Sequence, residues 1–179
     1  MTSLQSQMVQ LHKSLARRNI PHAFGGALAL AWCTQQARGT IDIDINIFIS
    51  TEEIDLLTSA LPKAIGTSEG NLKELHRDGQ TRLTWNDTPL DIFLNTTTFH
   101  AQAAQRIRYE TFAGVELPFL ACRDLAVFKT FFNRTRDWAD LEEMHAAGTL
   151  DVRAVTTELL EFLGEDDPRI MRLRLLTIK

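Results

Sequence analysis

Residues 41–49, IDIDINIFI, alternate isoleucine with another residue at every step. A helical period of 3.6 would scatter those isoleucines around a cylinder, so the pattern demands an extended strand. On such a strand five isoleucines share one face, and Asp42, Asp44, Asn46 and Phe48 share the other. The two aspartates then have Cα atoms roughly 6.5 to 7 Å apart on one side of a rigid element, a spacing suited to sharing divalent ions. A register slip of one residue would turn both carboxylates into the core, so the isoleucine face also protects the acidic one.

Around this strand the periods change twice. Residues 3–18 carry Leu4, Met8, Leu11 and Leu15 at helical spacing, and a short strand is expected over 22–24. Gly25-Gly26 opens an alanine- and leucine-rich helix over 27–34. Ser50 and Glu53 form a capping-box pattern for a helix over 51–60, ending near Pro62. Residues 72–77, 81–85 and 90–94 read as strands of an antiparallel meander, separated by Asp78-Gly79 and by 86–89, Asn-Asp-Thr-Pro. A short helix over 99–105 precedes a hairpin of 107–112 and 115–120 around Gly114. Helices over 124–132, 136–146, 152–163 and 168–176 follow, with Gly148 and Gly164 as stops. The expected fold class is α+β, a mixed sheet flanked by helices and followed by a C-terminal helical region. We expect one structural domain, 1–179, with an α/β core over 1–121 and a helical part over 122–179.

Composition excludes more than it selects. Hydrophobic residues make up 44 % and charged residues 23 % of the 179, ordinary values for a globular chain and unlike disordered or fibrous ones. No apolar run reaches the roughly 18 to 20 residues that cross a bilayer, and the start MTSLQSQ has no leader pattern, so a cytoplasmic protein without membrane attachment is expected. The net charge of −4 argues against a surface wholly devoted to nucleic acid, though Arg106 with Arg108, Arg134 with Arg136, and the tail RIMRLRLLTIK leave room for a local basic groove. Cys33 and Cys122 sit in apolar surroundings without CxxC spacing and are expected as buried, reduced thiols.

Three further stretches complete the acidic strand: the Gly25-Gly26 turn, Arg38-Gly39-Thr40 just upstream, and Leu90-Asp91-Ile92-Phe93 on a later strand. With these the sequence resembles the nucleotidyltransferase superfamily, and more narrowly small bacterial proteins related to the AbiEii-type nucleotidyltransferase toxins. In that superfamily a GG or GS turn precedes an Arg-x-Thr-x-Asp-x-Asp strand, and a neighbouring strand brings a third carboxylate. The resemblance runs from Ile20 to Leu141 and includes VELPFLACRDLAVFKTFFNRTRDWADL, with an internal lysine and an Arg-x-x-Asp-x-x-Asp-Leu helix. It implies catalytic and metal-binding roles for Asp42, Asp44 and Asp91, with Asp91 as the candidate base. It also implies nucleotide-binding roles for Gly25, Gly26, Arg38, Thr40, Lys129, Asp137 and Asp140. Superfamily members often carry serine at the second glycine, so Gly26 offers only its amide and a hydroxyl contact is absent or supplied elsewhere.

The implied reaction transfers NMP from an NTP to an acceptor hydroxyl, with pyrophosphate leaving. Charge builds on the phosphate oxygens during in-line attack, and two Mg²⁺ ions held by carboxylates are the expected cofactors, with NTP as co-substrate. An acceptor RNA, such as tRNA, with a cognate antitoxin protein as partner is the preferred expectation. A small, antibiotic-type acceptor is another. A non-catalytic nucleotide- or partner-binding protein of the same fold is a third. Arg38 and the Asp137–Asp140 pair have rival readings as ordinary ion pairs, and Lys129 as a snorkelling lysine. The five histidines show no zinc-ligand spacing, and no GxSxG nucleophile turn occurs.

Overall fold

The structure, a computed structural model, describes residues 3–177. Of these, the residues within Met1–Leu28 and Gly39–Leu120 form one compact unit, and Ala29–Arg38 with the described part of Ala121–Lys179 forms a second.

The first unit is built on a six-stranded mixed sheet in the order β3-β4-β2-β1-β6-β5. Its strands are β1 (His22–Phe24), β2 (Ile43–Ser50), β3 (Gln80–Trp85), β4 (Thr88–Asn95), β5 (Arg108–Phe112) and β6 (Val115–Phe119). The acidic strand β2 lies inside the sheet, antiparallel to β1 and parallel to β4. Ile43, Ile45 and Ile47 are fully buried and Ile49 nearly so. Ile41, expected on the same face, lies before β2 and is 80 % exposed, so the regular strand starts two residues later than the alternation suggests. Asn46 and Phe48 are buried as well, which means both faces of β2 are covered along its second half.

Helix α1 (Leu4–Ala16) starts at Ser3, whose hydroxyl accepts from the Ser6 N–H, and buries Met8, Leu11 and Leu15. Its Gln7 grips the β3–β4 hairpin: the amide nitrogen donates to Trp85 O at 2.8 Å, and the Thr88 hydroxyl donates to Gln7 Oε1 at 2.9 Å. That hairpin turns at Asn86 and Asp87, both with positive φ, as a tight primed turn requires. The Ser50–Glu53 capping box forms and leads through a 3-10 turn, Thr51–Glu53, into α3 (Ile54–Ala60).

One expected strand is a helix. Residues 72–77 lie within α4 (Glu69–Asp78), which is capped at one end by Ser68 with Asn71 and at the other by Gly79 in the left-handed conformation. Leu72 and Leu75 are three apart, as one helix face requires, and Leu75 is buried. The meander therefore reduces to the β3–β4 hairpin, followed by α5 (Thr98–Ala104) and the β5–β6 hairpin.

The second unit contains α6 (Cys122–Phe132), α7 (Thr135–Ala146), α8 (Val152–Leu163) and α9 (Pro168–Leu175). Leu125, Trp138, Leu141, Met144, Val155, Leu159, Ile170 and Leu173 supply its apolar interior. Helix α2 (Gly26–Thr34) begins in the first unit, while its residues from Ala29 onward group with the second. Cys33 near the end of α2 and Cys122 at the start of α6 form a disulfide, with Cα atoms 5.6 Å apart. The expectation of reduced thiols is corrected here: spacing rules recognise only local pairs, and these two cysteines are 89 residues apart in sequence.

Candidate nucleotidyl-transfer site

Register places the acidic residues in a row. Asp44 on β2 is directly paired with Asp91 on β4, and Asp91 is directly paired with Arg82 on β3. Directly paired residues point to the same face about 4.8 Å apart, so Asp44, Asp91 and Arg82 form one line across three strands. Gly25 extends the line on the other side, its N–H donating to Asp44 O at 2.9 Å.

Gly26 explains why the turn carries two glycines. Its φ is +54°, and a Cβ at this position would lie 1.9 Å from Asp44 Oδ2. The bare backbone at the start of α2 therefore lies directly against the Asp44 carboxylate. Gly25 is less tight: a Cβ there would meet Asn46 Nδ2 at 3.2 Å and Leu120 at 3.3 Å.

Asp42 lies just before β2 and is half-buried, and Thr40 donates its hydroxyl to Asp42 Oδ1. Thr40 thus orients a carboxylate, alongside the nucleotide role the resemblance implies. Asp91 is gripped by Arg82, whose Nε donates to Oδ1 at 2.7 Å and whose Nη2 donates to Oδ2 at 2.6 Å. The bond to Asp91, the Asp91 charge, and then the charges of Asp42 and Asp44 together raise the pKa of Arg82. Arg82 was absent from the sequence-based candidates, yet a signal existed. Counting outward from the Asn86-Asp87 turn pairs residue 85 with 88 and hence 82 with 91.

Among the described residues, no three His, Cys, Asp or Glu side chains gather into a ready-made metal cluster. The donor set still fits a hard divalent cation. Two carboxylates stand side by side in register, a third is two residues upstream, and Asn46 on the same face has a buried Oδ1 with no hydrogen-bond partner among the described residues.

In the second unit Asp140 is the hub of a charged cluster. It is 1 % exposed, accepts from the Lys129 ammonium at 2.5 Å, and takes both terminal nitrogens of Arg38, that from Nη2 at 3.3 Å. Burial pushes the Asp140 carboxyl up, but hydrogen bonds from Arg38 and Lys129 outweigh it and hold the pKa below the usual range. Asp137 is buried beside it, 3.8 Å from Lys129 Nζ. It accepts from the backbone N–H of Arg134 at 3.1 Å and from that residue's Nε at 2.7 Å, which caps α7. Both aspartates are thus engaged by cations of their own unit.

A mixed six-stranded sheet flanked by helices, with an acidic pair following a double-glycine turn, is a nucleotidyltransferase-like fold. No protein-family model and no curated protein matches the chain. Among solved structures, it is similar to ANT(2'')-Ia in complex with adenylyl-2''-tobramycin, with a TM-score of 0.56 and 13 % identity over 97 % of either chain. The solution structure of the antibiotic-resistance factor ANT(2'')-Ia gives 0.55 and 14 %, covering 97 % of this chain and 89 % of that one. The lincosamide antibiotic adenylyltransferase LnuA, lincomycin-bound, gives 0.55 and 10 %, covering 82 % of this chain and 99 % of that one. At such identities the likeness is one of fold.

Proposed function

We propose that this chain is a metal-dependent nucleotidyltransferase that moves NMP from an NTP to an acceptor hydroxyl. The observation that carries the reading is the register-aligned pair Asp44 and Asp91 beside the Gly26 turn. In the transfer a bond forms between the acceptor oxygen and the α-phosphorus, the bond from that phosphorus to the β-phosphate bridging oxygen breaks, and pyrophosphate leaves. Bound Mg²⁺, two ions in the full reading, would neutralise charge on the phosphate oxygens and on the attacking and leaving groups. Asp42, Asp44 and Asp91 would hold the metal, and Asp91 would take the acceptor's proton. The Gly26 amide at the start of α2 would receive phosphate oxygens, while Gly25, whose own N–H is held by Asp44 O, would contribute by its lack of a side chain. Thr40 keeps Asp42 in position, while Arg38 and Lys129, tied by Asp140 and neighboured by Asp137, are the cations assigned to the nucleotide. We place the protein in the cytoplasm, where NTPs are plentiful; no described helix is long and apolar enough to cross a membrane.

The acceptor we favour is a small hydroxylated molecule of antibiotic type. Its support is the likeness, over most of both chains, to structures bound to adenylyl-2''-tobramycin and to lincomycin, together with a net charge of −4, which disfavours a phosphate backbone. The second reading, modification of an RNA such as tRNA by a toxin of the AbiEii type with a cognate antitoxin, is supported by the motif resemblance. Incubation with each α-labelled NTP, Mg²⁺, and either a panel of hydroxylated antibiotics or a total small-RNA extract separates them. Label on a small molecule supports the first and label on RNA the second. Label on neither would leave a nucleotide- or partner-binding protein of the same fold.

A further inference from the structure

Arg82 is the member of the acidic row that the transfer reaction leaves without a task. Its guanidinium fork covers both oxygens of Asp91, the residue that the reaction needs as metal ligand and proton acceptor. A fork of this kind takes one lone pair of each Asp91 oxygen and places a full positive charge beside them, so a metal ion approaching the same carboxylate meets a resident cation.

The two partners are unequal in freedom. The Arg82 side chain is 62 % exposed on β3, the edge strand of the sheet, whereas that of Asp91 is 17 % exposed on a strand paired on both sides. Releasing the arginine into water costs little, because its own side chain is mostly solvated already. The Asp91 side chain is short and mostly enclosed, and so has few other positions to take. The mobile partner is therefore the arginine.

Resting on the metal-dependent reading above, we propose that Arg82 is a latch on Asp91, a resident cation that a divalent metal ion must displace before Asp91 can serve the reaction. With the latch closed, the row Asp44–Asp91–Arg82 carries less net negative charge and Asp91 is unavailable as a base. With it open, Asp91 faces the same side as Asp44 with both oxygens released. Arg82 is thus a positioning residue that sets how readily the site accepts metal, and it takes no part in bond making.

The test is a Mn²⁺ titration of the full chain without nucleotide, reading free Mn²⁺ by electron paramagnetic resonance, on the parent, Arg82→Gln, Asp91→Asn and the double variant. Arg82→Gln should bind Mn²⁺ about two- to fivefold more tightly, the range corresponding to an exposed ion pair of this kind. That gain should vanish in the Asp91→Asn background, because the latch acts only through Asp91. Equal or weaker binding by Arg82→Gln would overturn the latch while leaving the metal site standing. A gain that persists in Asp91→Asn would also overturn it, since Arg82 would then act only as a distant charge. No Mn²⁺ uptake by any form would overturn the metal reading and the latch together. Circular dichroism of each variant confirms that the edge strand remains folded.

Discussion

Gly26 is the residue with the least room for change. A side chain there would meet the Asp44 carboxylate at 1.9 Å, and the backbone sits at a φ of +54° that L-residues adopt at a cost of about 1–2 kcal/mol. Gly26→Ala should therefore destabilise the protein by about 1–3 kcal/mol and displace Asp44, read as a lower urea midpoint and loss of metal-dependent NTP binding. A second residue contributes to the pH dependence of the fold. His22 is buried in β1, its Nδ1–H donates to Ile20 O at 2.8 Å, and its Nε2 lies 3.0 Å from His12 Nδ1. Burial lowers its pKa to about 4, against the Ile20 bond, which raises it, and with a smaller push from the His12 charge. The unfolded chain, with an ordinary value of 6.5, binds the proton first. Stability from this group is present above pH 6.5 and is lost as pH falls toward 4. His22 should contribute roughly 2–3 kcal/mol to the difference in stability between pH 7 and pH 4.5, and His22→Gln should remove that part. At this scale Asp42, Asp44 and Gly26 stand out in the sequence because strand alternation and a glycine doublet are local signals, whereas Asp91 stands out only through the family resemblance. The partners of these residues were not visible, because a fork between Arg82 and Asp91 or a hub at Asp140 depends on which strands and helices are neighbours.

The elements divide along the same line. Strand β2 was legible within two residues because alternation has one period and one reading, and the helices from α6 to α9 were legible from their stops and apolar spacing. Helix α4 was misread because Asp78-Gly79 resembles a hairpin turn; in the structure Gly79 is instead the helix cap, and Ser68 with Asn71 marks the other end. The α2–α6 disulfide was beyond reach of spacing rules, since Cys33 and Cys122 meet only through tertiary structure. Its effect should be large. Closing a loop of 89 residues restricts the unfolded chain by about 4–5 kcal/mol in the chain-entropy account. Reduction with dithiothreitol should lower the melting temperature, with two alkylatable thiols appearing by mass spectrometry in the unfolded, reduced chain. The Lys129–Asp140–Arg38 cluster works differently, stabilising only as a complete set, because a buried charge stripped of its partner is costly.

For the molecule as a whole, the described residues 3–177 form two compact units, each with its own interior and its own set of charges. The first presents carboxylates on a rigid sheet, and the second holds a lysine and an arginine on one buried aspartate. The nucleotidyltransferase-like fold was legible from motifs that span Ile20 to Leu141, whereas the acceptor was not, because it depends on surfaces with no sequence signature. The central claim concerns the acidic row, and it is tested most directly by isothermal titration of NTP into the parent and into Asp44→Asn, each with Mg²⁺ and with EDTA. The account predicts saturable heat for the parent that disappears with EDTA and falls at least tenfold in affinity, about 1.4 kcal/mol, in Asp44→Asn. Triphosphate binding that is indifferent to both Mg²⁺ and Asp44, or no binding by the parent, would contradict it.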